Sequence, residues 1–395
     1  MAAVSAPVHG GAAAQQAHEE ELEEPPEENK TLAAAAAAAA PCSPWSPAVA
    51  ERYHRREKLG QGMFGDVYKA WDRVERRFVA VKRLAGRTGG GFVETGPHDF
   101  SRQAASLAAC RGHPSVVELL ATYAAGDGHG DSYLVTEYAG PLNLRDYMEL
   151  RRRERLPRFD EGEVRDAMRQ LLAGAARAHA AGVLHRCVAP ENVVVGQEDV
   201  ADAGGERVGR RRVYRICGFG VSEPPPALAA APRAERGDGS GMLASPSPYR
   251  APELFLGSEE YDGRVDTWAL GCIMAELLAG GTGGAPFFVG ELDTEVFEKM
   301  LRVVGAGGIV KWPGMKKVVA RDKAEGLREK YGRDRGCLRE VFPEEVLSPA
   351  GFEVLEGLLR SNPDRRLTAA AALRKSWFRR PGGLRGCFMP CGGSL

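Results

Sequence analysis

Strand-like segments come first along the patterned part of the chain. In KLGQGMFGDVYKAWD apolar residues flank a glycine cluster, and RFVAVKRL alternates apolar and basic positions. An alternation with a period of two predicts half-buried strands rather than helices. The region that starts near Tyr53 is therefore expected to open with a β-sheet.

Two later segments carry the spacing of helices. The apolar positions of the first fall on one helix face: Val164, Met168, Leu171, Leu172, Ala175 and Ala178. Asp160 and Glu163 fit a capping box at its start, and Gly182 fits its end. In VDTWALGCIMAELLAG apolar residues surround the helix, which is typical of a helix buried on all sides. Strands followed by helices predict an α+β fold, with a small β-rich lobe on a larger helical lobe.

The two ends of the chain lack this periodicity. Residues 1–52 contain an acidic block (Glu19–Glu28), an alanine run (Ala33–Ala40) and a Pro/Ser stretch. Few large apolar side chains are available there to offset the entropy of ordering, so the segment is predicted to be disordered. Residues 53–378 have a globular pattern, and residues 379–395 are expected to form a flexible tail.

The composition of the chain indicates a cellular compartment and argues against two classes of binding partner. The 395 residues include 53 basic and 53 acidic side chains, so net charge indicates neither nucleic acid nor anionic lipid as a partner. No apolar run approaches a membrane span, and the first residues lack the features of a signal peptide. The eight cysteines are scattered, as in a protein with reduced thiols. An intracellular protein of the cytoplasm or nucleus is expected; free thiols at Cys387 and Cys391 are favoured over a metal or acyl site.

A glycine motif follows the first predicted strand. Gly60, Gly62 and Gly65 have the spacing G-x-G-x-x-G, with Phe64 at the tip and Val67 after it. Glycines let a backbone approach phosphate oxygens, although the same spacing also occurs in simple glycine-rich hairpins. A dinucleotide-binding motif would need a helix next, whereas DVYKAWD continues as a strand.

Lys82 lies on the next apolar strand, 17 residues beyond Gly65. A lone strand lysine is usually a solvated edge charge, but after a glycine loop it is a candidate for pairing with phosphate.

The segment LHRCVAPENVVV resembles the catalytic loop of protein kinases. His185, Arg186 and Asn192 match that motif. Cys187 stands where the family has its catalytic aspartate, and Ala189 stands where it has a lysine.

Further segments match the same family in the same order along some 320 residues. ICGFGVS resembles the metal-binding Asp-Phe-Gly segment, with Phe219 and Gly220 retained and Gly218 in place of the aspartate. YRAPELFLG, VDTWALGCI, FFVGELD, KWPG and NPDRRLTAAAAL resemble the cyclin-dependent kinases, among which the F-type plant kinases are an expected relative. The resemblance implies a bilobal protein kinase fold, with an N-lobe over residues 53–138 and a C-lobe over residues 139–378.

The resemblance also assigns a nucleotide pocket. Its implied members are Leu59, Gly60, Gly62, Phe64, Gly65, Val67, Ala80, Lys82, Thr136, Glu137 and Ala139. Thr136 would be the gatekeeper beside the adenine, and Glu137 to Ala139 would be the hinge.

Structural roles are implied for another group. Glu253, at the end of the activation segment, should pair with Arg366, and Asp266 should hold the backbone of the catalytic loop. His185, Arg186, Phe219 and Gly220 are structural members of the same motifs.

The departures from the family concern catalysis. A thiol at Cys187 is a poor substitute for a carboxylate base, and Gly218 offers no oxygen to a divalent cation. Asn192 alone is an insufficient magnesium site. The helix glutamate that normally aims the lysine should fall near Gln103 or Ala104, unless a shifted helix recruits Asp99 or Glu94.

Regulatory features depart as well. The cyclin-recognition sequence is absent, and the activating threonine position falls near Gly241, with Ser240 as the nearby hydroxyl. The insertion GQEDVADAGGERVGRRR is expected to end in a solvated basic loop rather than a nuclear signal.

Two functions are therefore weighed. The favoured one is a pseudokinase that binds or scaffolds protein partners, such as a kinase, a cyclin or a substrate, with weak ATP binding and doubtful use of Mg²⁺. The alternative is an active Ser/Thr kinase of unusual mechanism, supported by the glycine loop, Lys82 and Asn192. A nucleophilic role for Cys187 is disfavoured, because no general base accompanies it.

Overall fold

The computed structural model describes residues 45–62, 65–84, 97–125, 130–201, 207–224, 247–280, 285–319, 321–331 and 335–379. The expectations placed on Phe64, Glu94, Ser240 and Gly241, on residues 1–44 and on the tail beyond residue 379 lie outside these ranges.

The first part of the chain forms a five-stranded antiparallel sheet with the strand order β1-β2-β3-β5-β4. Its elements are helix α1 (Pro47–Arg52), strands β1 (Tyr53–Gly62), β2 (Gly65–Asp72) and β3 (Arg77–Leu84), helix α2 (Pro97–Ala109), and strands β4 (Leu119–Tyr123) and β5 (Ser132–Glu137). The predicted strands on both sides of the glycine cluster are confirmed as β1, β2 and β3.

The folded structure begins before residue 53. Trp45 and Val49 are buried, and the Trp45 ring packs edge-on against Tyr68 and Tyr133 at centroid distances of 5.8 and 6.2 Å. The prediction of disorder up to residue 52 is therefore wrong for residues 45–52. These apolar side chains are too few to give a sequence pattern, yet they cover one face of the sheet.

The rest of the chain is mainly helical around a small sheet with the order β6-β7-β8. Its elements are β6 (Leu142–Asn143), α3 (Leu144–Arg153), α4 (Glu161–Ala180), β7 (Val193–Ala201), β8 (Arg207–Ile216), α5 (Pro252–Phe255), α6 (Arg264–Leu278), α7 (Asp293–Val304), α8 (Met315–Val318), α9 (Arg321–Tyr331), α10 (Leu338–Val341), α11 (Pro349–Leu358) and α12 (Ala369–Leu373). Short 3₁₀ turns lie at Pro190–Asn192, Phe219–Val221, Ser247–Tyr249, Ile309–Lys311, Pro363–Arg365 and Ser376–Phe378.

The two predicted helices are confirmed. Helix α4 has the capping box: the Asp160 side chain accepts from the Glu163 backbone, and the Glu163 carboxylate accepts from the Asp160 backbone. The chain leaves this helix through Gly182 at φ +77°. Helix α6 is buried at every position from Val265 to Leu278, so it forms the centre of the core.

The insertion before ICGFG lengthens a hairpin, which corrects the expected solvated loop. Its basic end lies in β8, where Arg211 and Arg210 pair with Glu198 and Asp199 of β7 at 3.0 and 3.3 Å. Opposite charges face each other across the strands, and such cross-strand pairs favour a continued ladder over a loop. The overall α+β, bilobal architecture is as predicted.

Candidate active site

The glycine motif lies on strands β1 and β2, where Gly60 is opposite Val67 and Gly62 is opposite Gly65. Gly65 has φ +129°, and a Cβ there would lie 1.9 Å from the Arg83 carbonyl oxygen. The sheet itself therefore requires glycine at position 65. A Cβ at Gly60 would meet no atom within 4 Å, so the described residues leave open space beside it.

Side chains assigned to the nucleotide pocket lie on neighbouring strands. Lys82 of β3 is in register with Val67 of β2, and Ala80 of β3 is in register with Thr136 of β5. Leu59 precedes the first glycine and is 37% exposed. The sheet thus places these candidates on adjacent strands, whereas Phe64 lies outside the described residues.

Lys82 is held by helix α2 through a neutral partner. Its Nζ donates to Gln103 Oε1 at 2.8 Å, so the position of the helix glutamate is Gln103 rather than Ala104. Asp99 pairs with Arg102 at 2.7 Å. Burial lowers the pKa of Lys82 to about 8. The Gln103 Nε2 is buried and has no hydrogen-bond partner in the described part of the chain.

The hinge runs close to strand β7. A Cβ on Gly196 would lie 2.0 Å from the Ala139 carbonyl oxygen, and one on Gly140 would lie 2.1 Å from the Val195 carbonyl oxygen. This contact was not predicted from the sequence, where a glycine inside the strand run VVVGQ was the available signal. It holds the hinge backbone against the second sheet.

Glu137 is occupied by neighbouring groups of the protein. Its carboxylate accepts from the Glu118 backbone at 3.0 Å and pairs with Arg215 at 3.3 Å. Burial raises the pKa of Glu137 above its usual range, although Arg215 opposes that effect. Thr136 donates to the Glu137 carbonyl at 3.3 Å.

Asp266 of helix α6 binds the backbone of the catalytic loop. The Asp266 carboxylate accepts from the backbone N–H groups of His185 and Arg186 at 3.0 and 2.8 Å, and it contacts His179 Nε2 at 2.8 Å. Burial alone would raise the pKa of Asp266, but these contacts hold it below its usual value. Arg186 has φ +66°, so the loop adopts a conformation that L-residues seldom take.

Cys187 stays a neutral thiol in this loop. Burial raises its pKa to about 11, and the hydrogen bond from Asn192 only partly opposes that shift. The Asn192 Nδ2 donates to the Cys187 carbonyl at 2.8 Å and lies 3.4 Å from its sulfur. A thiol that stays protonated at neutral pH is a poor proton acceptor and a weak nucleophile.

Position 218 lacks a carboxylate and also lacks the space for any side chain. It lies in the left-handed region at φ +79°, and a Cβ there would be 2.1 Å from Asn192 Oδ1 and 2.4 Å from Asn192 Cγ. The carboxamide of Asn192 thus occupies the space into which a side chain at position 218 would extend. Only glycine fits without movement of Asn192.

These residues do not fit a divalent cation of the kind that kinases use. Magnesium in such sites is bound through carboxylates and substrate phosphates, whereas the two positions that would bind it here carry Asn192 and Gly218. Within the described ranges no group of three or more His, Cys, Asp or Glu side chains could hold a metal ion.

The segment after Gly218 is nevertheless ordered by the fold. The Phe219 ring packs edge-on against His185 at 4.6 Å, and His185 Nε2 contacts the Cys217 carbonyl at 2.8 Å. Arg102 of α2 donates to the Gly220 carbonyl at 2.7 Å, which connects that helix to this segment.

Glu223 joins the same segment to the catalytic loop. Its backbone exchanges two hydrogen bonds with Leu184 at 2.8 and 3.1 Å. Its carboxylate accepts from Arg186 at 2.5 Å and from the Tyr261 hydroxyl at 3.1 Å. Glu223 was not predicted from the sequence, because an acid three residues after the Phe-Gly pair carries no signal by itself.

The assigned pair at the end of the activation segment is present. Glu253 and Arg366 form two hydrogen bonds of 2.7 Å with nearly complete burial of both side chains. The structure thus contains the lysine, the asparagine and the strand β5 segment of the candidate site, whereas positions 187 and 218 carry no carboxylate.

Comparison with known proteins identifies the family. A model of the protein kinase domain matches residues 53–378. Putative cyclin-dependent kinase F-2 of Oryza sativa subsp. japonica is 43% identical over 334 residues, which cover 83% of this chain and 90% of that protein.

Other relatives are longer proteins. Cyclin-dependent kinase G-2 of Oryza sativa subsp. indica is 31% identical over 83% of this chain and 42% of its own length. Cyclin-dependent kinase G1 of Arabidopsis thaliana is 30% identical over 82% of this chain and 48% of its own length. The chain therefore belongs to the protein kinase family, in its cyclin-dependent-kinase-like branch.

Proposed function

We propose that this protein is a pseudokinase, a kinase-shaped regulatory or scaffolding protein with little or no phosphoryl transfer. The observation that carries the proposal is the contact between Gly218 and Asn192. The side chain at 192 fills the space where a metal-binding carboxylate would begin. The thiol at Cys187, protonated at neutral pH, supports the same conclusion.

The magnitude of the defect follows from the chemistry. A positioned general base contributes about 10²–10⁴ in rate, which corresponds to about 3–5 kcal/mol of barrier. Charge neutralisation at the transferring phosphoryl group is a separate and large contribution to kinase catalysis. Loss of both groups should reduce turnover beyond either loss alone.

Nucleotide binding is proposed to be weak and independent of magnesium. Lys82 and the buried Gln103 Nε2 are donors for phosphate oxygens, and positions 103, 187 and 218 carry no carboxylate that would repel a nucleotide free of metal. The hinge would hold the base, as in the family.

A phosphotransfer assay tests the catalytic part of the proposal. The full chain, purified free of other kinases, is incubated with radiolabelled magnesium-ATP and a generic basic peptide, and Lys82→Met serves as the matched control. We expect equal incorporation for the parent and the variant. Turnover at an ordinary kinase rate that Lys82→Met abolishes would disprove the pseudokinase assignment.

A thermal-shift titration tests the nucleotide part. ATP is added with excess magnesium or with EDTA, and the midpoint of unfolding is recorded for the parent and for Lys82→Met. We expect a small stabilisation of the parent in both conditions and a smaller one for the variant. Stabilisation that appears only with magnesium would show that a cation binds despite Gly218.

An active Ser/Thr kinase of unusual mechanism is the second candidate. The contact between Lys82 and Gln103 favours it, because α2 lies in the position that aims the lysine at a nucleotide. Activity that requires both Lys82 and Asn192, measured with the single Ala variants, would support this candidate.

Protein partners in the cytoplasm or nucleus complete the proposal. Another kinase, a cyclin or a substrate of one would be the class of partner. No helix in the described ranges is long and apolar enough to span a bilayer. Recovery of a defined kinase or cyclin with the protein from its native source would identify the partner.

A further inference from the structure

A basic cavity lies in the C-lobe, and none of its lining residues belongs to the candidate active site. Two of its cations, Lys311 and Arg365, lie in the segments KWPG and NPDRRLTAAAAL. The cavity has a volume of about 510 Å³, within the usual range for ligand pockets. Five cationic side chains and one carboxylate line it: Lys311, Arg335, Arg339, Arg360, Arg365 and Glu356.

Three interlocking segments build the walls. Ser361 Oγ donates to the Gly305 carbonyl at 3.0 Å, and the Cys337 backbone donates to the Val303 carbonyl at 2.9 Å. Gly336 has φ +75°, and a Cβ there would lie 2.5 Å from the Gly305 nitrogen. These close contacts make the cavity a feature of the packed fold rather than a gap between loops.

The positive charge of the cavity is only partly neutralised. Arg339 pairs with Glu344 at 3.1 Å, and Arg360 pairs with Glu356 at 3.6 Å. Lys311, Arg335 and Arg365 are exposed, and no carboxylate within the described residues forms an ion pair with any of them. Clustered cations repel one another, so an anion that bridges them would lower the free energy of the site.

The floor of the cavity is apolar. Leu338 and Leu359 are 7% and 1% exposed, and Phe352 lies under the Arg339 guanidinium at 4.6 Å from its ring centroid. A cationic rim above an apolar floor suits a ligand with a compact dianion beside an apolar group. A phosphoryl group carries close to two charges at neutral pH and matches the fork of arginine.

We infer that this cavity binds a protein segment that carries a phosphoserine or phosphothreonine next to an apolar residue. A ligand segment with two carboxylate side chains would carry the same charge but would occupy more volume than one phosphoryl group. Nucleic acid would need an extended basic stripe, whereas these cations line one cavity of about 510 Å³, and the whole chain has no net charge.

The test uses the purified full chain and a library of phosphoserine peptides with randomised flanking residues. Retention of this pool on the immobilised protein is compared with that of its dephosphorylated counterpart and of single-stranded RNA. The triple substitution Lys311→Ala, Arg335→Ala and Arg365→Ala should reduce retention at least about tenfold, because each cation can contribute a charge-assisted hydrogen bond. A glutamine triple variant at the same positions is used if the alanine variant unfolds at a lower temperature.

Two control variants separate this site from its surroundings. Lys316→Ala removes an exposed cation outside the cavity, and Lys82→Met alters the kinase cleft; both should retain the phosphopeptides. Because the second pKa of phosphate is near 6, retention should fall between pH 7 and pH 5. Equal retention of the dephosphorylated pool, an unaffected triple variant, or stronger retention of RNA through the same three residues would each overturn the inference. Failure of the pseudokinase proposal would leave these outcomes unchanged.

Discussion

Gly218 and Asn192 have to be considered together. Glycine takes the left-handed conformation at little cost, and at 218 it leaves space that the Asn192 carboxamide fills. A neighbour that packs into vacated space makes the reverse substitution costly, because the new side chain must first displace it. An aspartate introduced at position 218 would therefore not by itself create a metal-binding site.

Gly218→Asp tests this coupling. We expect a loss of about 1–3 kcal/mol in the free energy of unfolding, from the left-handed backbone and the contact with Asn192. We also expect no gain of magnesium-dependent stabilisation by ATP. Urea denaturation and thermal shift are the measurements.

Gly257→Asp is the matched control, because Gly257 has φ +85° but open space where its Cβ would lie. Gly257→Asp has the cost of a left-handed backbone but no clash with a neighbouring side chain. Its loss in the free energy of unfolding should therefore be smaller than that of Gly218→Asp. Equal losses at the two positions, or a magnesium response in Gly218→Asp, would contradict the coupling.

Lys82 gives a prediction for the pH dependence of stability. Its folded-state pKa of about 8 lies below the ordinary value of 10.5, so the folded protein binds this proton more weakly than the unfolded chain does. The charged lysine therefore costs stability fully below pH 8, and the cost disappears as the pH rises towards 10.5. Lys82→Met should raise the free energy of unfolding by on the order of 2 kcal/mol at pH 7.

The advantage of Lys82→Met should shrink steadily between pH 8 and pH 10.5 in urea denaturation. Lys316→Met, at an exposed position, should show no such trend. A variant that is less stable than the parent at pH 7 would mean that the hydrogen bond to Gln103 outweighs the desolvation of the charge.

At the scale of elements, long periodic segments were predictable and short ones were not. Helices α4 and α6 follow from their apolar spacing, and the capping box marks where α4 begins. Helix α1 has six residues and buries Val49 alone from within its bounds, so no periodicity could reveal it. The hairpin before ICGFG was predicted, but its extension through the insertion was not, because the charged residues that pair across its strands look solvated in sequence.

The candidate site shows the same division. The resemblance to protein kinases led to Lys82, Asn192, Asp266 and the two substituted positions 187 and 218, because each lies in a recognisable local sequence segment. The sequence left two candidates for the helix residue that contacts Lys82, Gln103 and Ala104. Which of them faces Lys82 depends on the rotation of α2 about its axis, and tertiary packing sets that rotation. The role of Glu223 depends on contacts with Arg186 and Tyr261, 37 and 38 residues away in the chain, which no local pattern encodes.

The ion pair between Arg186 and Glu223 joins the catalytic loop to the segment that follows Gly218. Both side chains are nearly buried, with 8% and 12% exposure. Removing one partner of a buried pair leaves an uncompensated charge and typically costs about 3–5 kcal/mol. Glu223→Gln should therefore destabilise the protein by a cost of this order, reduced because glutamine retains a hydrogen-bonding oxygen.

A double-mutant cycle with Arg186→Met provides the measurement. The double variant should lose less stability than the two single variants together, because each single change removes the same ion pair and leaves the other charge without it. Glu260→Gln is the control, since Glu260 pairs with Lys317 at an exposed position and should change stability by less than about 0.5 kcal/mol. Strict additivity at Arg186 and Glu223 would rule out their coupling.

At the scale of the whole molecule, the match to the kinase family and the folded unit have different starting points. The family match begins at residue 53, whereas Trp45 and α1 already pack on the sheet. Ser46 adds a backbone hydrogen bond to the Tyr133 hydroxyl at 3.0 Å. A tryptophan buried against two tyrosines is a large apolar contribution for so short a segment. The N-lobe sheet is thus completed by residues that precede the recognisable domain.

Two truncations measure that contribution. A chain that begins at residue 53 should be about 3–5 kcal/mol less stable than one that begins at residue 44, the range for removal of a buried tryptophan. Trp45→Ala in the full chain should account for most of this difference, whereas Glu51→Ala, at an exposed position of α1, should have little effect. Guanidinium denaturation followed by far-ultraviolet circular dichroism gives the five values, for the two truncated chains, the two full-length variants and the full-length parent. Equal stability of the two truncated chains would mean that the sheet folds without this cover, and that the domain begins where its family match begins.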